Sequence, residues 1–191
     1  MPFQVERKSM ACKDTDPASI RRLAEQTIRD MIPHAFRTMA NVEAMVGDEM
    51  PETLAGTSRR SVAGVIGWVG NLSGTGILEC TPEFACTLAN LMLGTDGTNL
   101  SEDALDAVAE MTNIVFGGMK TQLENCFGTM ALSIPTIIYG TDVEMRTSGD
   151  LIAVLPIKIS EHALRVKLYM NHLEEKRALS QFWTISCNAA R

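Results

Sequence analysis

Between residues 61 and 81 the chain reads SVAGVIGWVGNLSGTGILECT, β-branched and glycine-rich on either side of the turn residues Asn71 to Gly74. Two strands joined through that turn are the reading this composition favours. The order of the later elements narrows the fold class. Thr81-Pro82 opens a short helical stretch, PEFACTLANLMLG, closed by Gly94; after a polar loop with an Asp96-Gly97 turn, Ser101 caps a longer helix that should end near Gly128. Glu102 and Asp103 sit in its first turn, where the helix dipole favours acids. Three strand-like runs then come in succession, ALSIPTIIYG, LIAVLPIKI and ALRVKLYM. In the last, Leu164, Val166, Leu168 and Met170 alternate with Arg165, Lys167 and Tyr169, the signature of a strand wet on one face. Pro135 and Pro156 point to edges or bulges. Two strands, helices, then three strands do not alternate as βαβ units do, which predicts an α+β layering with helices on one sheet face.

Ahead of the strands, DTDPASIRRLAEQTIRDMIPHAFRTMANVEAM begins with an N-cap at Asp16 and Pro17 at the first helical position. Pro33 either kinks one long helix or divides a leading helix from a second that runs to about Met45. The 191 residues suffice for one core. A formal net charge of −6, with basic residues only in ones and twos, leaves no cationic stripe for phosphates and excludes nucleic acid as the expected partner. The start lacks an apolar h-region, and the longest uncharged run, residues 61 to 78, is broken by glycines, so a cytoplasmic protein with no membrane span is expected.

Familiar chemistries find little support. The five cysteines (Cys12, Cys80, Cys86, Cys126 and Cys187) form no C-x-x-C pair and read as buried, inert thiols. His34, His162 and His172 lack H-x-x-x-H spacing, and no metal site is expected. Asp14-Thr15-Asp16 follows no apolar strand, and Asp16 is better used as a cap. The glycines between Gly64 and Gly76 match neither G-x-G-x-x-G nor a Walker sequence, so they read as strand positions needing close backbone packing. Gly70-Asn71-Leu72-Ser73-Gly74 is one position away from a nucleophile elbow and lacks its context.

The longest helix carries the informative pattern. Advancing 100° per residue from Asp106 places Glu110 at about 40°, Asn113 at about −20°, Gly117 at about 20°, Lys120 at about −40° and Glu124 near 0°. The apolar set of Leu105, Val108, Val115, Met119, Leu123 and Cys126 is centred on the other side. A polar outward stripe is the ordinary condition of a solvated helix face. Asn, however, costs several tenths of a kcal/mol relative to Glu or Lys inside a helix, and each of Gly117 and Gly118 costs about 1 kcal/mol relative to Ala. Something other than helix propensity selects them. An amide can hold a water through its donor and acceptor at once, a carboxylate one turn away can engage a cation, and a bare glycine lets another molecule approach.

Asp106, Glu110, Asn113 and Pro135 resemble the signature of the CheC and CheX chemotaxis phosphatases, Asp or Ser, three residues, Glu, two residues, Asn, about twenty-two residues and Pro. The likeness covers roughly residues 31 to 170, including IPHAFRTMANVEAMVGDEMP and SVAGVIGWVG, and is of the one-site, CheX-like type, since Glu25 is followed three later by Ile28. It implies long helices packed on one face of a largely antiparallel β-sheet in a CheX-like domain over residues 31–170, and leaves an N-terminal extension over 1–30, with a helix, and a tail over 171–191 as departures that the family does not explain. Leu173, Leu179, Phe182 and Trp183 could give the tail a short amphipathic helix.

The function implied is hydrolysis of the aspartyl phosphate on a phosphorylated CheY-like response regulator. By similarity, Asn113 holds the attacking water, Glu110 pairs with the receiver's lysine, Asp106 and Gly117 serve docking, and Pro135 shapes a strand. No cofactor of its own is implied, because the receiver brings Mg²⁺, and a homodimer joined through the sheets is the family expectation. A non-enzymatic adaptor that binds a response regulator or signalling partner on the same domain is the alternative.

Overall fold

The computed structural model describes residues 16–49, 60–143, 145–147 and 149–171. At its centre, β2 (Arg60–Gly70) pairs antiparallel with β3 (Gly74–Cys80), Val62 opposite Cys80 and Trp68 opposite Gly74, so the hairpin read from the sequence forms. β3 pairs in turn with β7 (His162–Met170), β7 with β6 (Asp150–Ile159), and β6 with a two-residue β1 (Met45–Val46). On its other side β2 carries both β4 (Met130–Leu132) and β5 (Thr136–Thr141). Every pairing is antiparallel, giving an open seven-stranded sheet.

The helices α1 (Pro17–Ala40), α2 (Pro82–Leu93) and α3 (Glu102–Phe127) bury their apolar stripes in one core with one face of that sheet. Each starts at the expected cap: the Asp16 carboxylate accepts from Ala18 and Ser19 N–H, Thr81 Oγ1 from Phe84, and Ser101 Oγ from Ala104. Close approach of α3 to the sheet explains two strand glycines. A Cβ at Gly64 would overlap Thr112, and one at Gly76 would overlap the Phe116 ring.

Of the two readings left open at Pro33 the single long helix is the one that forms: Pro33 lies inside α1, and residues on both sides of it, from Ile20 through Ile28 to Ala35 and Phe36, bury against the same core. Other expectations need correction. The boundary drawn at residue 30 falls within this helix. α1 also stops at Ala40, short of Met45, because Asn41 takes the left-handed conformation (φ 53°) and its N–H closes onto the Phe36 carbonyl. The single run ALSIPTIIYG is two strands, separated at Ser133–Pro135, since each part pairs with a different stretch of β2. The far face of β7 is not wet: Arg165, opposite Glu79 in the ladder, forms an ion pair of 2.6 Å with it, and Tyr169 is buried with Ala63 and Ile77.

Cys80 and Cys86 are buried free thiols whose pKa values burial pushes up, as expected of inert side chains. Cys126, by contrast, is half-buried in the last turn of α3 and disulfide-bonded, so the expectation of an inert thiol does not hold there. Cys12, Cys187, His172 and the helix expected in the tail lie outside the described residues. Among the described residues no helix is long and apolar enough to cross a membrane.

Candidate functional site

The core-facing side of α3 is set by Val108, Met111, Val115, Met119 and Leu123, all buried, and this fixes which residues look outward. Asp106 and Glu110 are exposed and Asn113 is half-buried. With Ala109 they form one wall of an open depression of about 440 Å³. The opposite wall is the break between β4 and β5, Ser133, Ile134 and Pro135. The sequence motif thus converges in space, Pro135 facing the acid and the amide across the depression.

No hydrogen bond or ion pair within the described residues engages the side chains of Asp106, Glu110 or Asn113. Lower on the same stripe the situation reverses. Lys120 Nζ lies 2.8 Å from Glu124 Oε1, and the same carboxylate oxygen accepts the Met130 N–H at 2.8 Å. The hydrogen bond from Lys120, with that from Met130 second, holds the Glu124 carboxyl below its ordinary range. Lys120 and Glu124 therefore fasten α3 to the start of β4, while the upper half of the stripe stays available.

The two glycines of the helix separate as well. A Cβ at Gly118 would overlap the tip of Met31, so its absence lets α1 lie against α3. At Gly117 an added Cβ would meet only Leu132 Cδ2, at an ordinary 3.8 Å. Packing within the described residues does not demand that glycine. It lies outside the lining of the depression, one turn beyond Asn113.

Sequence reasoning missed Ser133, Ile134 and Ala109 as members of the site. Ser133 fixes the strand break: its N–H donates to the Gly67 carbonyl at 2.8 Å, its Oγ accepts the Gly67 N–H at 3.0 Å, and its hydroxyl donates to the Ile134 carbonyl at 3.0 Å. A serine before Ile-Pro carries no local signal for such pairing. Elsewhere, Asp16 serves only as a cap and His162 packs its ring on Phe84, 5.2 Å between centroids. Among the described residues no three metal-ligating side chains of the His, Cys, Asp or Glu type come together.

This open antiparallel sheet covered on one face by three helices is a CheC-like fold, shared with the crystal structure of a CheC-like superfamily protein from Shewanella sp. PV-4 at a TM-score of 0.67 and 22% identity, over 78% of this chain and 97% of that one. The model of a family described as chemotaxis phosphatase CheX matches residues 62–158, just over half of the chain, and the chain belongs to that family. It is 30% identical over 100 residues to the CheY-P phosphatase CheX of Thermotoga maritima, a match that covers 52% of this chain and 64% of that protein, less than two thirds of its length. The crystal structure of the chemotaxis protein CheX from Vibrio vulnificus superposes with a TM-score of 0.68 at 23% identity, over 79% of this chain and 98% of that one. A chain in the crystal structure of the CheX–CheY–BeF3–Mg²⁺ complex from Borrelia burgdorferi gives a TM-score of 0.65 at 18% identity, over 78% of this chain and 97% of its own. At such identities the three structures establish the shared fold.

Proposed function

We propose that the chain hydrolyses the aspartyl phosphate of a CheY-like response regulator by presenting Glu110 and Asn113 to the receiver's active site. The observation that carries this reading is the pairing of an exposed carboxylate with an amide one turn on, neither engaged by the described residues, above an open depression, in a chain of the CheX family. A relative named as a CheY-P phosphatase, and a shared fold with a chain from a CheX–CheY complex, support the same substrate class.

The reaction adds water across the acyl phosphate: the water oxygen bonds to phosphorus, the phosphorus–oxygen bond to the receiver's aspartate breaks, and inorganic phosphate leaves with the aspartate carboxylate restored. Such transfers depend mainly on alignment and charge placement. The Asn113 amide can accept a hydrogen bond from the water through its oxygen and donate one through its NH₂, fixing the water on the line of attack. Glu110, one turn earlier, pairs with the receiver's lysine in this reading and so sets register, with Asp106 and the bare backbone at Gly117 extending the docking surface. The Mg²⁺ expected in the receiver belongs to the substrate. A homodimer through the open edges of the sheet is proposed on the family resemblance, and a solution mass of one chain would overturn it.

Decay of a purified phosphorylated receiver tests the catalytic claim. Wild-type protein should accelerate it, and Asn113→Ala should lose on the order of 100-fold of that acceleration, the cost of a misplaced reactant. Binding of the receiver by wild-type protein without acceleration would replace the phosphatase with an adaptor.

A further inference from the structure

Ile134 is 86% exposed, the most exposed of the large apolar side chains among the described residues. A single aliphatic side chain in water is ordinary on any protein surface. Two things set this one apart, its position and its mount. It lines the same depression as Glu110 and Asn113, on the opposite wall. Its backbone is held on both sides: Ser133 exchanges hydrogen bonds with Gly67 through its N–H and its hydroxyl oxygen, and that hydroxyl also donates to the Ile134 carbonyl. Pro135 fixes its own φ and restricts the residue before it to extended conformations.

We infer that Ile134 is the apolar anchor by which the receiver docks, a positioning residue that helps determine which receivers are accepted. This rests on the function proposed above and deepens it. The two walls of the depression offer different chemistry, carboxylates and an amide from α3 and an aliphatic tip with the Pro135 ring from the strand break. The partner surface that fits carries a cation beside its phosphorylated aspartate and, next to it, an apolar dimple. With its backbone already held, Ile134 loses little main-chain freedom on docking, so more of the area its side chain removes from water appears as affinity. An aliphatic side chain offers no group for the chemical step, so the contribution belongs in binding.

The test separates kcat from KM for the phosphorylated receiver and measures binding of the beryllofluoride-activated receiver directly. Ile134→Ala should raise KM and Kd about 10-fold, the effect of losing most of a buried aliphatic side chain, with kcat unchanged within about twofold. Ile134→Asp should abolish measurable docking, whereas Ile134→Val should stay near wild type. Val69→Ala removes an exposed apolar side chain (64%) outside the depression and should change nothing. Unchanged KM and Kd in both Ile134→Ala and Ile134→Asp, with wild-type hydrolysis intact, would overturn the anchor and leave the phosphatase standing. Receiver binding that depends on Ile134 without any hydrolysis would do the reverse. The same melting temperature in all four variants confirms that they are folded.

Discussion

Gly117 and Gly118 stand in succession within a continuous helix of 26 residues, and the structure accounts for one of them and not the other. Gly118 answers to α1, whose Met31 occupies the space of the missing Cβ, while Gly117 faces open room. Gly117→Ala should therefore raise stability by about 0.5 to 1 kcal/mol, the helix-propensity difference, in chemical denaturation. Gly117→Gln should raise KM for the phosphorylated receiver if the receiver's backbone approaches there; an unchanged KM would remove Gly117 from the docking surface. Gly76→Ala supplies the contrast, because its Cβ would overlap a rigid Phe116 ring in the core and should cost about 1 to 3 kcal/mol. In the sequence Gly76 reads as a strand position needing close backbone packing and Gly117 as part of the outward stripe, whereas Gly118 carries no sign of its partner. The stripe of Asp106, Glu110 and Asn113 was legible because helical periodicity is local, but whether a glycine serves packing or leaves a surface bare depends on what lies opposite, and sequence spacing does not encode that.

At the scale of elements the site is a meeting of α3 with the break between β4 and β5. The helix, its caps and its outward face could be read directly; Pro135 marked an edge or bulge in ALSIPTIIYG, but the division into two strands follows from β2 offering the run two separate partners. Ile134 was hidden for the same reason, an isoleucine in a strand-like run being ordinarily taken as core. The strand-break wall is held to β2 through Ser133 and Gly67, and the Glu124 latch adds a tie between the helix and the strand before it, Lys120 and the Met130 N–H meeting at one carboxylate. Because the Glu124 carboxyl is held below its ordinary value of 4.5, the stabilisation it brings is fully present above that pH and is lost as pH falls through the lowered value. Glu124→Gln should accordingly melt below wild type at pH 7, and the gap should close on approach to pH 3. A gap independent of pH would mean that the charge on Glu124 contributes nothing and that shape alone holds β4.

For the whole molecule the decisive question is whether the first half of α1 belongs to the domain. The family match begins at residue 62, and the resemblance read from the sequence began near residue 31, so both leave this half unassigned. The core does not: Ile20, Ala24 and Ile28 are buried in the same cluster as Val166 and Leu168 of the sheet and Met119 of α3. Helical periodicity announces such a face but not its partner, which is why this helix could be recognised from the sequence and yet be read as an extension. Burying one isoleucine contributes about 1.5 to 3 kcal/mol, and the net stability of a domain is only about 5 to 15 kcal/mol. A chain beginning at residue 31 loses both isoleucines and also opens the surfaces they cover to water. It should unfold at a temperature far below that of the full chain, or fail to show a cooperative transition at all, in differential scanning calorimetry. Ile28→Ala in the full chain should cost about 2 to 5 kcal/mol by leaving a cavity at a fully buried position. Were the truncated chain to melt cooperatively at the full chain's temperature, the first half of α1 would be an appendage, and the depression beside α3 would owe its shape to residues 31 to 171 alone.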